Sequence, residues 1–92
     1  MKTTNTTNTL GETESKEWKA TLMNAYGDTY EEWCGETTVA KVAFCEVYDE
    51  AMDIANSLAY MDDDKPWLYN AIGILKADCR QLNRLWAEGE KE

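Results

Sequence analysis

From Thr38 to Met61 the apolar residues fall at helical spacing: Ala40, Phe44, Val47, Tyr48, Ala51, Ile54, Ala55 and Leu58 recur every three or four positions. This pattern predicts a long amphipathic helix with one broad apolar face. Glu46, Asp49, Glu50 and Asp53 lie at i, i+3, i+4 and i+7, on the opposite face. Val39 and Val42 share the direction of those carboxylates one or two turns earlier. The early half of the helix is therefore expected to be covered by the segment before Gly35, and the acidic half to face water. Thr37 or Thr38 is the expected cap, because a hydroxyl there can accept from an orphan backbone N–H.

A second long helix is predicted from about Pro66, where a missing N–H costs nothing. Leu68, Ala71, Ile72, Leu75, Cys79, Leu82 and Trp86 form its main stripe. Trp67, Ile74 and Leu85 form a second, narrower apolar strip with Asp78 beside it, and Lys76, Arg80 and Arg84 form a basic strip. Asp62-Asp63-Asp64-Lys65 separates the two helices, with Asp64 the expected cap of the second. So short a connection makes them antiparallel neighbours whose main stripes face each other. The Trp67 strip then needs another cover, from the N-terminal helices or from a second copy.

Upstream, Trp18, Leu22, Ala25 and Tyr26 mark a helix from about Ser15 to Tyr26, with Gly27 as its expected end. Asp28-Thr29-Tyr30-Glu31 has the form of a capping box and predicts a separate short helix through Trp33 and Cys34, stopped by Gly35. Residues 1–12 are polar, rich in Thr and Asn near the start, and are expected to be disordered. Residues 13–88 form the single helical domain and 89–92 a solvated tail, with Gly89 marking the helix end. The expected fold is all-α: a small bundle built on a long antiparallel hairpin, with one or two shorter N-terminal helices packed on it.

Charge narrows the function classes. Eighteen acidic residues against nine basic ones give a net charge of -9. Residues 1–37 carry seven acids and three bases, residues 38–65 seven and two, and residues 66–92 four and four. Such a chain repels phosphates and anionic membranes and is attracted to basic surfaces. Neither direct nucleic-acid binding nor membrane binding is expected.

Candidate chemistry is sparse. The chain has no histidine, which removes the commonest general base and most zinc and non-haem iron sites. Asp62-Asp63-Asp64 fails the calcium-loop pattern, since Trp67 and Gly73 occupy the positions that need glycine and glutamate. The five glycines are scattered and make no phosphate loop. Cys34, Cys45 and Cys79 show no CxxC spacing, and the first residues lack the apolar run of a secretory signal, so free thiols and a cytoplasmic location are expected. No catalytic residue, metal site or cofactor is expected, and the chain reads as a non-enzyme.

What remains is surface. Glu46, Asp49, Glu50, Asp53, Asp62 and Asp63 are the candidate acidic docking face. Tyr30 and Trp33 among Glu31, Glu32 and Glu36 form a candidate aromatic hot spot rimmed by charge. In size and charge the chain resembles phage- and plasmid-encoded antagonists of bacterial defence, such as anti-CRISPR and DNA-mimic anti-restriction proteins. That likeness rests on no motif, and no functional residue carries over from it. The expected function is a non-enzymatic inhibitor that blocks a basic nucleic-acid-binding protein by charge mimicry. The alternative is a self-associating structural or adaptor protein, with Trp67, Ile74 and Leu85 as a homodimer seam.

Overall fold

The computed structural model describes residues 10–61 and 66–92. They form three helices: α1 (Leu10–Trp33), α2 (Val39–Leu58) and α3 (Pro66–Lys91), with no strand among the described residues. The expected Met1–Thr9 segment, the Asp62–Lys65 turn and the Asp64 cap lie outside the described residues.

The all-α hairpin is present. α2 packs closely on α3 and equally on α1. Gly11 of α1 meets the end of α2 at Leu58, whereas Trp33 meets its beginning at Phe44. Phe44 in turn meets Trp86, late in α3. α2 therefore runs antiparallel to both neighbours, and α1 and α3 run parallel.

The N-terminal region differs from expectation. Gly27 does not stop a helix, and no separate short helix follows it. α1 is continuous for 24 residues, longer than α2 at 20. A glycine inside a helix costs only about 1 kcal/mol, and packing of Tyr26, Tyr30 and Trp33 on α2 offsets that. The true stop is Gly35, whose φ of 92° suits a residue without a side chain. Glu36 N–H then returns to the Trp33 carbonyl at 3.0 Å. At its other end α1 starts at Leu10, so Leu10, Gly11 and Glu12 are helical and Gly11 is buried. A Cβ on Gly11 would collide with the Leu58 carbonyl. The glycine is what lets the two helices cross there.

The core grades from aromatic to small. At the Trp33 end Phe44 is fully buried, with Tyr26, Trp33 and Trp86 around it edge-on at centroid distances of 6.0, 5.1 and 6.4 Å. That is the geometry in which ring edges meet ring faces favourably. Toward the other end the core is made of Gly11, Ser15, Leu22, Ala51, Ala55, Leu58, Leu68 and Leu75, all buried.

The seam of α3 is rotated from the expected stripe. Leu68, Ala71, Leu75, Asp78, Leu82, Leu85 and Gly89 are buried, a strict alternation of three- and four-residue steps. Ile72, Cys79 and Trp86 are only half-buried. A 3.5-residue period holds one seam against a partner along several turns, whereas a straight 3.6-residue reading drifts off it. Leu85, expected on the open strip, is consequently core, and so is Asp78.

The ends also differ. Thr38 sits at the start of α2, but its hydroxyl makes no capping hydrogen bond and is buried without a partner. The Ala40 N–H instead donates to a Glu92 carboxylate oxygen at 3.3 Å, across from α3. Gly89 does not end α3, which continues to Lys91. The Trp33 ring lies over Gly89, so close that a Cβ there would stand 2.5 Å from Cη2.

Candidate functional site

The outward face of α2 repeats with the same steps as the α3 seam: Val39, Val42, Glu46, Asp49, Asp53 and Asn56, followed by Tyr60 in the turn just past the helix end. Every one of these side chains is exposed. The face is apolar at its two ends and acidic in its middle. α1 covers the early half of α2, as expected, at Phe44 and Tyr48, but from the other side, so this face stays open there; Val39 is 81% exposed.

The four acids of α2 stand in three settings. Glu46 and Asp53 project into solvent. Asp49 is exposed but accepts a hydrogen bond from the Tyr30 hydroxyl, 2.8 Å from Oδ1. That bond, with the Asp49 charge and some burial, pushes the Tyr30 pKa up to about 12. Glu50 is exposed and lies against Asp78 of α3. None of the four is in an ion pair with a lysine or arginine among the described residues. The ion pairs lie elsewhere, Lys41 with Glu36 at 3.5 Å and Arg84 with Glu88 at 3.7 Å. Asp62 and Asp63 lie outside the described residues.

The aromatic hot spot is not one surface. Trp33 is buried at 5% exposure, beneath Gly89 and beside Phe44, with the Lys41 ammonium 5.5 Å from its ring centroid. Tyr30 is half-buried, stacked on Tyr48 at 4.5 Å. Glu31, Glu32 and Glu36 are exposed. A pattern of i, i+3 aromatics reports a shared helix face; it does not report which face the neighbouring helix takes.

The candidate self-association seam divides in the same way. Leu85 is core. Trp67 and Ile74 are 56% and 49% exposed, and α1 does not cover them. α1 contacts the other side of α3: the Tyr26 hydroxyl reaches the Asn83 side-chain oxygen at 2.9 Å and the Cys79 carbonyl at 3.3 Å.

The residue that sequence spacing undervalued is Asp78. It is 6% exposed, and its Oδ2 has no hydrogen-bond partner. Burial first, then the Glu50 charge and side-chain contact, push its pKa up to about 6. The available signal was the 3.5-residue period, which puts Asp78 at a core position.

Catalytic geometry is thin. A shallow notch of about 250 Å³ is lined by Glu14, Glu17, Trp18 and Thr21, all on α1. Trp18 Nε1 donates to Glu14 across it at 3.0 Å. Cys34 is exposed; Cys45 and Cys79 are half-buried free thiols whose pKa values burial raises. Raised thiol pKa values mean little thiolate at neutral pH. Among the described residues no three His, Cys, Asp or Glu side chains converge to hold a metal. No helix among them is long and apolar enough to cross a membrane. No protein-family model, curated protein or solved structure matches this chain.

Proposed function

We propose that this chain is a non-catalytic binding protein that docks on a basic, nucleic-acid-binding protein surface and keeps phosphates off it. An antagonist of a bacterial defence nuclease, of the anti-CRISPR or anti-restriction kind, is the specific form of this reading. The supporting observation is the outward face of α2. Its carboxylates are exposed along a helix, and no lysine or arginine among the described residues is in an ion pair with them. Folding has no use for such a ridge, since unneutralised like charges only repel. Against a lysine- or arginine-lined groove the same charges find partners and steer the encounter.

The test uses the folded full chain as bait in a nuclease-treated bacterial lysate. Wild-type protein captures a basic protein at low salt, and rising amounts of it displace labelled nucleic acid from that target. The double substitution Glu46→Lys with Asp53→Lys keeps its helicity and loses both effects. Equal capture by the double variant, or a target that keeps its nucleic acid, would sink the reading. The exposed Trp67 and Ile74 favour a second reading, a self-associating adaptor; sedimentation as a monomer at about 100 μM, well above the roughly micromolar dissociation constant of a stable dimer, counts against it.

A further inference from the structure

The flank of the α2–α3 seam away from α1 carries an arrangement that the three-helix fold does not complete. Asp78 sits at a core position with an unpartnered oxygen, 94% of it hidden from water. Glu50 lies against it from α2. One turn earlier on α3 stands Ile74, and two turns before that Trp67, both about half exposed. Helix neighbours at three, four and seven positions share a face. Those around Asp78 are Ala71, Ile74, Leu75, Gln81, Leu82 and Leu85; those around Glu50 are Ala43, Glu46, Val47, Asp53, Ile54 and Ser57. Not one is a cation. The basic strip Lys76, Arg80 and Arg84 points to another side of α3.

Two carboxyl groups thus meet at an apolar rim with no lysine or arginine among those described helix neighbours. An unpaired buried acid is costly unless something supplies the missing partner. A second copy apposed with its two-fold axis at this pair would bring carboxylates to carboxylates and raise that cost. A guanidinium would lower it: its planar fork donates to two carboxylates at once, and its faces tolerate apolar neighbours.

We propose that the Glu50–Asp78 pair, flanked by Ile74 and with Trp67 two turns further along the same helix, is an anchor site for an arginine side chain set in an apolar segment of a partner protein. The site rests on the docking reading and supplies its specific contact. The outer ridge of α2 steers the partner, and this flank holds it. Glu46 and Asp53 lie on the same helix as Glu50, within one turn, so ridge and anchor form one continuous footprint.

The test is a nuclear magnetic resonance titration of the full chain near neutral pH with two helical peptides. Each carries one side chain at the centre of a leucine stripe, arginine in one and its neutral isostere citrulline in the other. The arginine peptide is expected to bind about ten-fold tighter, the margin of a charge-assisted hydrogen-bond pair. Its largest shifts fall on the Trp67 indole, Ile74 and Glu50. In Asp78→Asn, a variant expected to be more stable than the wild type, the preference for arginine disappears. Equal binding of the two peptides to the wild-type chain overturns the proposal. So do shifts centred on α1, and so does a stable dimer that covers Trp67. The lysate capture separates this failure from that of the docking reading. If wild type and Asp78→Asn hold the captured protein equally while Glu46→Lys with Asp53→Lys loses it, the anchor is wrong and the ridge stands. If nothing is captured by any of them, the docking reading itself fails.

Discussion

Asp78→Asn removes a buried charge while keeping the shape of the side chain. In the folded chain the Asp78 pKa lies at about 6, against an ordinary 3.8. In the unfolded chain it titrates near the ordinary value, so the separation is about two units. At about 1.4 kcal/mol per unit, the ionised group costs the fold on the order of 3 kcal/mol. The direction follows from proton counting. Below about pH 4 both states hold the proton, and nothing is lost. Between about pH 4 and 6 the folded chain keeps a proton that the unfolded chain has released, so stability falls as pH rises. Above that window the full cost is in place. The amide never ionises and escapes it. Urea unfolding of both proteins at about pH 4 and about pH 7.5 measures the effect. Relative to the wild type, the variant is expected to gain on the order of 3 kcal/mol between the two conditions, equivalent to about 12–24 °C in Tm for a domain of this size. The protonated acid and the amide bury similar polar groups, so that burial cost cancels in the comparison. A relative gain below about 1 kcal/mol refutes the claim that Asp78 is held as a buried acid against Glu50.

Two further substitutions probe the core. Phe44→Ala empties the centre of the aromatic cluster and is expected to cost about 3–5 kcal/mol in urea unfolding, as for a fully buried aromatic; a loss below about 1 kcal/mol would show that Phe44 is not packed as described. Gly73→Ala and Gly89→Ala separate helix propensity from packing within α3. At Gly73 an added Cβ meets nothing within 4 Å, so the variant is expected to gain about 0.5–1 kcal/mol. At Gly89 the Cβ runs into the buried Trp33 ring at 2.5 Å, and a loss of about 1–3 kcal/mol from overpacking is expected. The same sign at both positions would contradict the contact between Trp33 and the end of α3.

The helical class, the α2 apolar face and the antiparallel hairpin were legible in the chain itself. Ala40, Phe44, Tyr48, Ala51, Ala55 and Leu58 recur at a spacing only a helix can bury together, and all six are buried. Gly35 was legible as a stop, because a positive φ favours a residue without a side chain. Gly27 was not legible as a helical residue: local propensity allows an end there, and only the covering α2 makes continuation cheaper. Thr38 had the chemistry of a cap, yet Glu92, more than fifty residues away, does that work. No local rule can find a partner so distant.

The candidate surfaces divide along the same line. That Glu46, Asp49, Glu50 and Asp53 share a helix face is periodicity, and the sequence carries it. Which of them stays free is a matter of neighbours: Tyr30 takes Asp49, and Asp78 meets Glu50. The burial of Trp33 and Leu85, the exposure of Trp67 and Ile74 and the placing of Asp78 in the seam all follow from the rotation of α1 and α3 about α2. That rotation is set by how three surfaces fit together at once. Side-chain spacing along one chain fixes which residues travel together; only the packed bundle decides which way they point.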